Sequence, residues 1–118
     1  MAAQTSFEKI KLSGSTDGMG IKVVASSTPG TTIHTAHATA LDEVWLWAVN
    51  THSAAVDLTI EYGGVTDPDN LINKDGIPVE DGLYLVVPGL IITNSKVIAA
   101  FAGSANVIIM YGYVNRMS

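Results

Sequence analysis

Val56–Tyr62 reads V-D-L-T-I-E-Y, and its strict alternation decides the fold class. Apolar residues occupy every second position, and Asp57, Thr59 and Glu61 stand between them. Side chains of an extended chain point alternately to its two faces. We therefore expect the apolar set to point into a core and the three polar side chains to face solvent. The stretch predicts a half-buried β-strand.

Two longer stretches are apolar on both faces. Residues 43–50 read E-V-W-L-W-A-V-N, and residues 106–115 read N-V-I-I-M-Y-G-Y-V-N. A strand that lacks a polar face needs cover on both sides. Residues 43–50 are therefore predicted to form a central strand covered on both of its faces, and residues 106–115 the longest strand of the domain.

Turn-forming dipeptides divide the remaining chain into short pieces. Examples are Pro29-Gly30, Asp75-Gly76 and Pro88-Gly89, where glycine accepts positive φ and proline fixes φ. The pieces between turns are rich in β-branched and apolar residues, which favour strands. The further predicted strands are residues 7–12, 21–25, 31–36, 83–87, 90–93 and 97–102.

Eight or nine short strands with at most one helical turn, at residues 67–72, predict an all-β domain. Two antiparallel sheets packed face to face are the usual solution for such a chain, and the strand count favours a jelly-roll-like β-sandwich. We expect residues 1–118 to form one domain, with a short N-terminal arm at about residues 1–11.

The composition narrows the function classes. Charged residues make up 14% of the chain, the net charge is −5, and the six cationic side chains are scattered singly along the sequence. A nucleic-acid-binding protein usually carries a basic patch, so direct nucleic-acid binding is not expected. The chain has no cysteine and no apolar run long enough for a membrane helix, and we expect no membrane association.

The polar side chains include a few candidates for metal sites or catalysis. His34 and His37 form an H-x-x-H pair, but on a strand they would face opposite ways and would need a third ligand such as His52 or Asp42. Residues 67–75 carry several carboxylate and amide oxygens without the glycine and terminal glutamate of an EF-hand loop. We expect no catalytic residue, no metal and no cofactor.

Aromatic residues are the remaining candidates. Trp45 and Trp47 share one strand face, as do Tyr111 and Tyr113, and Phe7 begins the first predicted strand. Paired tryptophans can stack on sugars or bases, but aliphatic neighbours favour a core or a subunit interface. We therefore take Phe7, Trp45, Trp47, Tyr111 and Tyr113 as interface candidates.

Several segments resemble small virion proteins of tailed bacteriophages. The resemblance lies in a strand ending in asparagine, a short Ser/Ala turn and an alternating strand ending in glycine. The segments are 12–18 (LSGSTDG), 21–25 (IKVVA), 27–36 (STPGTTIHTA), 43–51 (EVWLWAVNT), 56–64 (VDLTIEYGG) and 107–116 (VIIMYGYVNR).

The resemblance implies a capsid decoration (cement) protein that binds the major capsid protein on the outside of the head and stabilises it, often as a homotrimer. The protein would be made in the host cytoplasm and located in the virion. Trimer contacts need an apolar, charge-poor face, for which residues 43–50 and 106–115 are candidates, and the N-terminal arm could reach a neighbouring capsid subunit. Two alternatives stay open: another phage structural protein of the tail, baseplate or fibre, and a carbohydrate-binding module that uses Trp45 and Trp47.

Overall fold

The computed structural model describes residues 6–118, which form nine β-strands and no helix. Without a helix, this part of the chain has none long and apolar enough to cross a membrane. The strands are β1 (Phe7–Lys11), β2 (Ile21–Lys22), β3 (Thr31–Thr35), β4 (Leu41–Asn50), β5 (Val56–Tyr62), β6 (Leu71–Ile77), β7 (Tyr84–Ile92), β8 (Val97–Ala102) and β9 (Ile108–Met117).

The strands form two antiparallel sheets. Sheet A has the order β1-β9-β4-β7, with β2 also paired to β9, and sheet B has the order β3-β8-β5-β6. Pairs nest along the chain: β5 pairs with β6, β4 with β7, β3 with β8, and β1 and β2 with β9. The first and second halves of the chain therefore run antiparallel to each other as one long two-stranded hairpin, which folds over to form the two sheets. This arrangement is the jelly-roll-like sandwich that the strand count predicts.

One core fills the space between the sheets. From sheet A, Val44, Leu46 and Ala48 of β4 are completely buried, and from sheet B, Leu58 and Ile60 of β5 are almost so. The inward positions of β5 are the ones that the period-2 pattern predicts. In β4 both faces are apolar, so the pattern places Val44, Leu46 and Ala48 on one face without indicating that this face is the inner one. Asn50 ends β4 and fixes the next turn, because its side-chain amide donates to the carbonyl oxygens of Ala54 and Ile77.

The second half of the chain differs from the sequence prediction in two strands. Residues 83–87 and 90–93 were predicted as separate strands, but β7 runs unbroken from Tyr84 to Ile92. Its pairing to β4 skips Gly89 and Val86, so Pro88-Gly89 forms a bulge instead of a turn. Proline is tolerated there because β7 lies at the sheet edge, where no partner needs its N–H.

Strand β6 was missed altogether. The helical turn predicted at residues 67–72 is present only over residues 67–70, where the Asn70 N–H donates to the Thr66 carbonyl oxygen at 2.9 Å. Leu71 already starts a strand that pairs with β5. Asp75-Gly76, read as a turn, is a second edge bulge, in which the Gly76 N–H donates to Asp57 Oδ1 at 2.7 Å. The turns predicted at Pro88-Gly89 and Asp75-Gly76 were wrong for one reason, since glycine and proline mark bulges in edge strands as readily as turns.

Glu61 also departs from the prediction. It was expected to face solvent, but it is 1% exposed. It does lie on the outer face of sheet B, where the β2–β3 connection covers it. Its carboxylate accepts hydrogen bonds from Thr28 Oγ1 at 2.6 Å and the Gly30 N–H at 2.7 Å. Alternation predicts the face of a residue, while a loop folding over that face decides its burial.

The expected N-terminal arm, about residues 1–11, falls in two parts. Phe7–Lys11 is strand β1, paired along its whole length with β9 at an edge of sheet A. Met1 to Thr5 lie outside the described residues. Strand β2 is shorter than predicted, since only Ile21 and Lys22 of residues 21–25 pair with β9.

Candidate interaction face

The five interface candidates lie on one surface, the outer face of sheet A. In β4 and β9, Trp45 is in register with Tyr113 and Trp47 with Tyr111. Phe7 of β1 is in register with Met117 of β9, four residues beyond Tyr113 and on the same face of the strand. Residues directly opposite in antiparallel strands share a face. We call Phe7, Trp45, Trp47, Tyr111 and Tyr113 together the aromatic face.

Three of these rings form a stacked cluster. The ring centroids of Trp45, Trp47 and Tyr113 lie 6.0–6.5 Å apart, with interplanar angles of 13–25°. Offset stacking of this kind stabilises aromatic pairs beyond simple burial. The cluster explains why both tryptophans are half-buried in a sheet face over which no other sheet packs.

The prediction that β4 is covered on both sides is therefore wrong. Its inner residues are buried, but Trp45, Trp47 and Val49 on its outer face are only half-buried. Part of the cover over Trp45 comes from the β7 bulge, where a Cβ on Gly89 (φ 78°) would lie 2.8 Å from Trp45 Cζ2. Tyr111 is 38% exposed and Phe7 66% exposed. An apolar face this open is a candidate contact surface.

The charges around the aromatic face are mostly positive. Lys9 and Lys11 of β1 are in register with Asn115 and Tyr113, and Lys22 of β2 is in register with Ile109, so all three share the face. The Lys9 ammonium lies 4.8 Å from the Tyr113 ring centroid, within range of a cation–π interaction. Lysines thus line the β1 and β2 side of the face.

Glu43 is the carboxylate of this face. It accepts hydrogen bonds from Asn115 Nδ2 at 2.8 Å and from Trp45 Nε1 at 3.1 Å. These bonds, that from Asn115 foremost, hold the pKa of Glu43 below its ordinary value. The residue therefore stays charged near neutral pH and orients the Trp45 ring.

Asp42, next to Glu43, points the opposite way and lies at the centre of a buried polar network. It is completely buried, and Arg116 Nε and Nη2 donate to its two oxygens at 2.7 and 3.0 Å. His34, also completely buried, contacts Asp42 Oδ2 through Nε2 at 2.8 Å. The three residues come from β3, β4 and β9 and connect the two sheets inside the sandwich.

The hydrogen bonds of the His34 ring define its tautomer. The Ser13 N–H donates to Nδ1 at 3.0 Å, so Nδ1 is unprotonated and the proton sits on Nε2, which donates to Asp42. Both ring nitrogens are occupied and the ring is completely buried. In this arrangement neither nitrogen is free to take a proton from a substrate, and the network acts as a structural clamp.

Tyr62 interacts with this network through the negative charge of Asp42. Its hydroxyl is buried without a hydrogen-bond partner among the described residues. Burial, with a smaller contribution from the negative charge of Asp42, raises the pKa of Tyr62 to about 12. The phenol therefore remains neutral at physiological pH.

The stability of the protein should depend on pH through Asp42. Burial alone would raise the pKa of Asp42, but the hydrogen bonds from Arg116 and His34 outweigh it and hold the pKa below its ordinary value of 3.8. A carboxyl with a lowered folded-state pKa stabilises the fold above its unfolded-state pKa, and this contribution is lost as the pH falls through the folded-state value.

We therefore expect the difference in unfolding free energy between wild type and Asp42→Asn to be constant near neutral pH and to shrink as the pH falls below about 4. Urea unfolding followed by far-ultraviolet circular dichroism at a series of pH values measures this difference. A difference that grows on acidification would contradict the assignment.

The histidine and calcium candidates are dispersed. His34 is buried in β3, His37 lies in the loop after β3, and His52 lies in the turn after β4. Over residues 6–118 no group of three or more His, Cys, Asp or Glu side chains is placed to hold a metal ion. In the acidic segment of residues 67–75, Asn70 Oδ1 accepts the Thr66 N–H, which is an ordinary turn interaction.

Sequence reasoning missed the Asp42–Arg116 pair and the line of lysines beside the aromatic rings. Asp42 and Arg116 lie 74 positions apart in the chain, and their contact depends on the β4–β9 register. The lysines appear scattered in sequence because β1 and β2 are separated by a loop but pair with the same strand. The only local signal is that neighbouring residues of a strand face opposite ways, which separates Asp42 from Glu43.

A shallow pocket of about 330 Å³ lies on the opposite side of the molecule, at the outer face of sheet B. Gly30, Glu61, Gly63, Lys96 and Val97 are among the residues that line it. Both oxygens of Glu61 already accept hydrogen bonds from Thr28 and Gly30. The pocket therefore offers less exposed chemistry than the aromatic face.

Comparison of the chain with protein-family models, with curated proteins and with solved structures yields no match.

Proposed function

We propose that this protein is a structural component of a tailed-phage virion, a capsid decoration protein that binds the outer surface of the major capsid lattice and stabilises the head. The observation that carries the proposal is the aromatic face. It is a half-exposed apolar surface on a sheet whose inner side is already filled by the core. Such a surface is suited to binding a broad protein surface.

The sequence resemblance to small phage virion proteins supports the same proposal. A decoration protein binds many equivalent, shallow sites, so that stabilisation of the shell comes from buried area and multiplicity. An antiparallel sandwich with an aromatic surface on its outer face is suited to such binding. We include in the proposal a homotrimeric state and a location on the capsid exterior, after synthesis in the host cytoplasm.

Binding to shells that lack the protein tests the proposal. Purified protein is added to phage particles from a strain in which its gene is deleted, and occupancy is measured by co-sedimentation and electron microscopy. We expect density on the head, and we expect Tyr111→Ser to bind at least about tenfold more weakly, since truncation of a central aromatic residue is usually among the costliest changes at an interface.

Val97→Ser is the matched control. Val97 is 39% exposed on β8 of sheet B, against 38% for Tyr111 on β9 of sheet A. The control should bind like wild type, and thermal unfolding of both variants checks that they are folded. Density on the tail or baseplate would favour the alternative of another phage structural protein. No binding of the protein to any part of the particles would refute the proposal.

A carbohydrate-binding module is the second candidate function. The rings of Trp45, Trp47 and Tyr113 are nearly parallel on one sheet face, and such rings can stack on sugars. Glycan binding would quench the fluorescence of Trp45 and Trp47 on addition of oligosaccharide. Decoration of a shell predicts no response to neutral sugars.

A further inference from the structure

The aromatic face differs in charge from the rest of the molecule. The strand residues that share the outer face of sheet A with the aromatic face include three lysines, Lys9, Lys11 and Lys22, and one carboxylate, Glu43, a formal charge of +2. The formal charge of the whole chain is −5. The remaining surface and interior therefore carry −7, and the apolar face is the positive side of an acidic protein.

The positions of the lysines make this charge available to a partner. All three are exposed, and within residues 6–118 none forms an ion pair, since the ion pairs there all involve Asp42. Lys9 lies against Tyr113, and Lys11 donates to the Ser15 carbonyl at 3.1 Å, so both are held along the border of the rings. Charges at the border of an apolar contact select the partner and its orientation.

We infer that the surface which covers the aromatic face is an apolar protein surface bordered by carboxylates. Packing two copies of the aromatic face together would place six lysines and only two carboxylates in one contact, a net positive charge that is unfavourable. A neutral glycan would leave the lysines without a counter-charge. The inference rests on the proposed function only in treating this face as the docking surface.

The two tryptophans of the chain both belong to the aromatic face, so their fluorescence reports its occupancy. The probe is a random copolymer of glutamate and tyrosine, which combines carboxylates with apolar rings. We expect it to change the tryptophan emission at low salt, to bind more tightly than polyglutamate, and to weaken as salt is added. Polylysine should give no response.

The triple variant K9Q/K11Q/K22Q should bind the copolymer about tenfold more weakly, the combined effect of three exposed charge pairs. The matched control K74Q/K96Q removes cations of β6 and of the β7–β8 turn and should bind like wild type. Thermal unfolding verifies that both variants are folded.

Three results would overturn the inference. They are no response to the copolymer, an unchanged affinity of the triple variant, or equally tight binding of the anionic polysaccharide alginate. Sedimentation equilibrium adds a fourth, since a change of oligomeric state in the triple variant would show that a second copy occupies the face. None of these measurements uses phage particles, so a negative result is distinguishable from failure of the particle-binding test.

Discussion

Replacing Asp42 with asparagine is expected to lower the unfolding free energy by about 3 kcal/mol, the lower end of the range for breaking a buried ion pair. The substitution leaves the Arg116 guanidinium, whose side chain is only 21% exposed, without a counter-charge. It also replaces the charged acceptor for His34 Nε2–H by a neutral amide. Urea unfolding at neutral pH, followed by circular dichroism, measures the loss.

Two further variants test the cause. Glu43→Gln removes the neighbouring carboxylate on the outer face and is expected to change stability much less, because Glu43 is not enclosed in the core. The double variant Asp42→Asn/Arg116→Met should recover part of the loss, since no buried charge is then left unpaired. If Asp42→Asn proves no more harmful than Glu43→Gln, the network is not the clamp that its geometry indicates.

Gly112→Ala is expected to lower the unfolding free energy by about 3 kcal/mol, the upper end of the usual cost of overpacking. Gly112 of β9 is in register with Leu46 of β4, at the centre of sheet A. A Cβ at this position would collide with the carbonyl oxygen of Trp45 and lie 3.1 Å from Leu46 Cδ2. Backbone atoms cannot move aside as a flexible side chain can, so the β4–β9 pairing itself must shift.

Gly103→Ala is the control for this prediction. The nearest atom to a Cβ on Gly103 is the Asp57 nitrogen at 3.8 Å, an ordinary van der Waals contact. We expect this variant to stay within about 0.5 kcal/mol of wild type, as most surface substitutions do. Equal effects of the two alanines would mean that the β4–β9 separation does not depend on the glycine. The shifted β4–β9 pairing in Gly112→Ala should also alter the near-ultraviolet circular dichroism signal of Trp45.

The aromatic face shows which contacts a sequence pattern can predict and which it cannot. Alternation places Trp45 and Trp47 on one face of β4, and Tyr111 and Tyr113 on one face of β9. It contains no information on which faces of different strands meet. That the two pairs lie side by side, with Phe7 beyond them, follows from the pairing of β1 and β4 with opposite edges of β9.

The alternating sequence by itself determined the all-β class, the inward residues of β5, which residues of β4 and β9 share a face, and the opposite directions of Asp42 and Glu43. These properties depend on the period of an extended chain, which is local. The tertiary structure alone decided that β7 continues through Pro88-Gly89, that a loop buries Glu61, and that His34, Asp42 and Arg116 meet. Each of these depends on strand register or on a neighbouring segment far away in the chain, and so on contacts that no local pattern encodes.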